Sequence, residues 1–114
     1  MREDEKSLLD RLSQICRERE NLDNSFRTTR RKIEEMDEQL IRNKQVLSYR
    51  VQEELETNSD SQLLEIYQER DELYNDMRIR TQEFDEEYQL EYERKLQNLD
   101  DEEASIKEFL SKED

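Results

Sequence analysis

Thr57-Asn58-Ser59-Asp60-Ser61 is the one run of five small polar residues in a sequence of 114. Such side chains hydrogen-bond to nearby backbone and so compete with helix. Asn58 can take the left-handed conformation that ends a helix in a chain without glycine. Asp60 or Ser61 can then cap a following helix, with Glu65 near its first turn. Upstream, one row runs Leu8, Leu12, Ile15, Arg19, Leu22, Phe26, Thr29, Ile33, Met36, Leu40, Asn43, Leu47, and continues to Val51 and Leu55. Its steps alternate between four and three as far as Leu47, the average of about 3.5 that makes a coiled-coil seam.

Downstream, a second row runs Leu63, Ile66, Arg70, Leu73, Met77, Thr81, Phe84, Tyr88, Tyr92, Leu96, Leu99, Glu103, Ile106 and Leu110. The two rows predict a helix over about 3–56, a turn at 57–61 and a helix over about 62–112. The expected fold class is therefore all-α: a single long antiparallel two-helix hairpin spanning 1–114. Folding about Ser59 pairs residues whose numbers add to about 118. Leu55 then meets Leu63, Phe26 meets Tyr92, Leu22 meets Leu96 and Leu12 meets Ile106. The hairpin seam thus takes in Leu12, Leu22, Phe26, Ile33, Leu40, Leu47 and Leu55 from the first helix. From the second it takes Leu63, Leu73, Met77, Phe84, Tyr92, Leu96, Leu99 and Ile106. The same fold sets the basic cluster Arg27, Arg30, Arg31 and Lys32 opposite Glu86, Glu87 and Glu91. The alternative is one continuous helical rod through 57–61 that dimerises, since those residues are poor but not forbidden helix formers.

Composition narrows the choice of function. Charged residues make up 46% of the chain, apolar residues 31%, and the net charge is −14, which opposes binding to nucleic acid or anionic lipid. There is no Gly, so phosphate-cradling loops and dinucleotide fingerprints are excluded. There is no His, so His-based triads and His-ligated metal sites are excluded too. The acidic runs Asp100-Asp101-Glu102-Glu103 and Glu83 to Glu87 fall on solvated helix faces, without the burial that separates the pKa values of an acid–base pair. The chain reads as a non-enzyme with no cofactor and no metal. A single cysteine, Cys16, excludes an intramolecular disulfide. No apolar run is long enough to span a bilayer, and Met1 to Glu5 lacks the apolar core of a cleavable signal peptide. The expected location is the cytoplasm, with any export by a route independent of such a signal.

Apolar residues outside the seam point to a partner. Leu9 and Cys16 are seven apart, as are Tyr67 and Tyr74. With Ile41, Leu64 and Phe109 they mark a second, shorter strip on each helix, suited to protein binding. An isolated two-helix hairpin has little to pack against, which favours a partner that completes a bundle.

The chain resembles the small, charged, glycine-poor helical proteins encoded beside LXG toxins of the type VIIb secretion system. The resemblance lies in the stretch Leu22–Leu55, with Leu-Asp-Asn-Ser-Phe, Arg-Arg-Lys-Ile-Glu-Glu and Leu-Ile-Arg-Asn-Lys-Gln, and in Phe84–Leu110, with Glu-Tyr-Glu-Arg-Lys-Leu and Asp-Asp-Glu-Glu-Ala. Tyr67 to Asp71 and Phe109 to Glu113 also fit the aromatic-x-x-x-acid pattern of type VII substrates. The chain departs from related WXG-type hairpins in having neither Trp nor Gly. The resemblance implies a targeting factor or chaperone that binds the helical N-terminal domain of a toxin alongside a second small helical protein. A homodimeric coiled-coil scaffold is the alternative function.

Overall fold

The computed structural model describes residues 3–57 and 61–112. It holds two helices, α1 (Glu3–Thr57) and α2 (Ser61–Lys112). Both agree with the expected bounds to within a residue at each end. Thr57 and Ser61, assigned to the turn from sequence, are the last residue of α1 and the first of α2, and 58–60 lie outside the described residues. Glu3, Asp4 and Glu5 occupy the first turn of α1, where negative charge favours the helix dipole, and Lys112 occupies the last turn of α2. Neither helix is interrupted by Gly or Pro, because the chain has none.

The helices pack antiparallel as a hairpin, which excludes the continuous rod. Contacts divide the chain into two compact units. Unit 1 comprises residues up to Thr29 together with those from Glu87 onward, and unit 2 comprises Arg30–Glu86.

In unit 1 the core is apolar and aromatic. Ile15 has no exposed surface and Ile106 is buried. Leu8, Leu12, Leu22, Leu96, Leu99 and Leu110 are half-buried around them. Phe26 stacks on Tyr92, with ring centroids 3.9 Å apart and planes 8° from parallel, and also stacks on Tyr88 at 5.7 Å. The contact of Phe26 with Tyr92 is the pair expected from the register. Tyr92 donates its hydroxyl to Asp23 Oδ1 at 3.1 Å, so the ring is covered and its polar tip satisfied. Two guanidinium groups close the edges. Arg11 grips Glu102 in a bidentate pair at 2.6 and 2.7 Å. Arg19 bridges Asp100 at 2.8 Å and Glu103 at 3.2 Å.

In unit 2 the inter-helix layer is far more polar. Ile33, Leu47 and Thr81 are buried. Thr81 returns its hydroxyl to the Met77 carbonyl at 2.8 Å, which satisfies it without a partner from α1. A ladder of charged contacts crosses between the helices. Arg30 forks onto Asp85 at 3.1 Å, Arg78 forks onto Asp37 at 3.0 and 3.3 Å, and Lys44 reaches Asn75 at 2.7 Å and Asp71 at 3.9 Å. On α1 the rungs are Arg30, Asp37 and Lys44, seven apart and alternating in sign. On α2 they are Asp85, Arg78 and Asp71, also seven apart, with the opposite sign at each rung. Sliding one helix by a heptad sets like charges together, Arg30 against Arg78 and Asp37 against Asp71. The ladder therefore fixes register even where single exposed pairs add little stability.

This ladder changes which face of α2 meets α1 in unit 2. The row turned toward α1 is Leu64, Tyr67, Asp71, Tyr74, Arg78, Thr81 and Asp85. Apart from Thr81, which both rows share, the row expected from sequence lies one residue earlier, about 100° around the helix. Leu73, Met77 and Phe84, expected in the seam, are therefore exposed, as is Ile66. Leu55 is also exposed, although Leu63 opposite it in the expected register is half-buried. One physical reason is Arg70. The expected frame turns Arg70 inward at the level of Ser48, with no acid to meet it, whereas the observed frame gives each inward cation an acceptor. The basic cluster also pairs differently from expectation. Arg30 takes Asp85, Arg27 takes Asp23 on its own helix at 3.2 Å, and Glu91 takes Lys95 at 3.1 Å.

Candidate protein-docking surface

The residues of the two expected partner strips differ in exposure. Leu9, Cys16 and Phe109 are exposed in unit 1. Ile41, Leu64, Tyr67 and Tyr74 are half-buried in unit 2, the last three within the row that faces α1. Burial raises the pKa of the Tyr67 hydroxyl, and its hydrogen bond with Glu54 raises it further. Leu47, Val51, Leu64 and Tyr67 line an open groove of about 550 Å³. Tyr67 and Asp71 of the aromatic-acid pattern thus face the neighbouring helix. In the second pattern Phe109 is exposed and Glu113 lies outside the described residues.

The acidic run 100–103 is engaged in unit 1. The hydrogen bond from Arg11 holds Glu102 below the usual carboxylate range, and those from Arg19 and then Lys107 do the same for Glu103. Among the described residues no group of three or more acidic or thiol side chains is arranged to hold a metal ion. No helix among them is long and apolar enough to cross a membrane.

What the structure does assemble is a ridge on the outward side of α2 in unit 2. Ile66 is 47% exposed, Leu73 54%, Met77 40% and Phe84 52%. At about 100° per residue these four lie within about 20° of one line along the helix. The α2 sequence carries two heptad frames one residue apart. The polar frame is used against α1, and the more apolar one is left facing solvent. Scattered surface hydrophobes are ordinary, but a straight row at heptad spacing matches the face an amphipathic helix presents to another helix. The apolar period of the sequence places Leu73, Met77 and Phe84 in the inter-helix seam, whereas the structure leaves them exposed.

No protein family, curated protein or solved structure matches this chain.

Proposed function

We propose that the chain is a non-enzymatic protein-binding adaptor whose outward α2 ridge docks an amphipathic helix of its partner. The observation that carries this reading is the solvent-facing row Ile66, Leu73, Met77 and Phe84 on a hairpin that has already closed its own inter-helix layer. A net charge of −14 favours a partner helix with a basic border. The resemblance to LXG-associated proteins supplies the partner class: the helical N-terminal domain of an LXG toxin, which the adaptor keeps soluble and presents to type VIIb secretion. Covering the apolar face of such a domain is what a targeting factor or chaperone does physically.

The test is co-expression with an LXG-domain protein encoded beside this chain, followed by co-purification. The native chain is expected to form a stoichiometric complex that Leu73→Glu abolishes while Leu9→Glu leaves it intact. Binding that is indifferent to Leu73→Glu overturns the assignment of the ridge, and failure to bind any such domain overturns the LXG reading. A homodimeric coiled-coil scaffold is the second reading, favoured by the heptad spacing of the ridge, which the same ridge of a second copy can match.

A further inference from the structure

We propose that the occupant of the α2 ridge, when no guest is present, is a second copy of this chain running antiparallel across a two-fold axis level with Asn75. This inference rests on reading the ridge as a docking surface. Its basis is the order of side chains on the ridge. Outward from position 75, Leu73 and Met77 lie two residues away and Ile66 and Phe84 nine, while Arg70 and Arg80, five away, lie about 40° to opposite sides of the ridge line. Rotation about that axis therefore sets Ile66 on Phe84 of the second copy and Leu73 on its Met77, each contact occurring twice. A two-fold interface requires this kind of self-complementary patch.

Charge provides a second condition. In an antiparallel helix pair each flank of the seam meets the same flank of its neighbour. Glu69 and Arg80 lie on one flank, about 60° and 40° from the ridge line, and stand level with each other across the axis. Both are exposed, and no ion pair joins either to another side chain among the described residues. The antiparallel pair thus forms two symmetric Glu69–Arg80 contacts. In a parallel pair the same residues are separated by about 16 Å of helix rise and cannot meet. The row facing α1 lies about 100° away around α2, and the four ridge residues keep 40–54% of their surface exposed.

The size of the patch sets the class of interface. From Ile66 to Phe84 the ridge is about 27 Å long. A single helix-on-helix contact of that length belongs among small interfaces, below about 1,200 Å². Interfaces of that size belong to weak, transient complexes, so a guest helix can displace the second copy.

The test is sedimentation equilibrium of the purified chain alone, which separates this inference from guest binding. The native chain is expected to shift reversibly from monomer to dimer with concentration. Leu73→Glu, at a solvent-facing position that leaves helicity unchanged, is expected to remain monomeric. Arg80→Glu is expected to weaken dimerisation about tenfold by replacing two attractive contacts with two repulsive ones, and adding Glu69→Arg is expected to restore it. In a Cys16→Ser background, oxidation of a mixture of Leu73→Cys and Met77→Cys chains is expected to link unlike chains in preference to like ones. A native chain that stays monomeric at about 100 µM overturns the proposal. A dimer insensitive to Leu73→Glu, a double charge reversal that fails to restore association, or a preference for like-chain crosslinks also overturns it.

Discussion

Replacing leucine by alanine at Leu47 and at Leu73 separates the two possible frames of unit 2, because the chemistry is the same and only the environment differs. Leu47 is 8% exposed and Leu73 is 54% exposed. The substitution removes about three carbons, each contributing about 0.8 kcal/mol when buried. At Leu47 nearly all of that is lost, about 2 kcal/mol, with a further cost for whatever cavity the neighbours do not fill. At Leu73 less than half of the side chain is out of water, so the loss is at most about 1 kcal/mol, and the better helix propensity of alanine offsets part of it. Urea unfolding followed by far-ultraviolet circular dichroism, at a chain concentration below any self-association, reads the difference as a shift in midpoint. Leu47→Ala is expected to lower the midpoint clearly and Leu73→Ala only slightly, with the slope unchanged. Equal losses at the two sites, or the larger loss at Leu73, refute the rotated frame of α2.

Asp37→Arg and Arg78→Asp are each expected to lower the urea midpoint, and the double reversal to recover most of the loss, since it rebuilds the pair with its ends exchanged; additive losses refute the ladder as the determinant of register. Glu102 has a folded-state pKa below its ordinary value, so its contribution is present above pH 4.5 and lost as pH falls through the depressed value. Acid titration of stability is therefore expected to show a shallower low-pH decline in Glu102→Gln than in the native chain. Tyr92 is shifted the other way, first by burial and then by its bond to Asp23, so its contribution is present below pH 10 and lost as pH rises through the raised value. Tyrosinate absorbance in Tyr92→Phe is expected to lose part of the component that titrates above pH 10 in the native chain, with Tyr67 supplying the rest.

The fold was legible because helix ends and apolar periodicity are local properties. A glycine-free chain with one small-polar interruption favours two helices over one continuous rod, and Phe26 with Tyr92 set the register in unit 1. There the row facing the neighbouring helix is apolar, so a search for apolar period finds it. In unit 2 it fails because the facing row of α2 is built from Tyr67, Asp71, Tyr74, Arg78, Thr81 and Asp85, while the denser apolar row one residue away points outward. The missing signal was present in the sequence as charge rather than hydrophobicity: Arg30, Asp37 and Lys44 at heptad spacing, answered in reverse sign by Asp85, Arg78 and Asp71. The expected partner residues Leu64, Tyr67 and Tyr74 were misplaced for the same reason, since they belong to the frame that the ladder turns inward.

The alternation of sign between successive rungs has a bearing on how a hairpin of this kind can be lengthened. A duplication of about seven residues in both arms preserves every apolar row yet joins two rungs of the same polarity. A duplication of about fourteen preserves both the rows and the alternation. The natural module for growing or grafting this segment is therefore a double heptad, because tandem copies of a single heptad keep every pair complementary yet lose the penalty on a one-heptad slip.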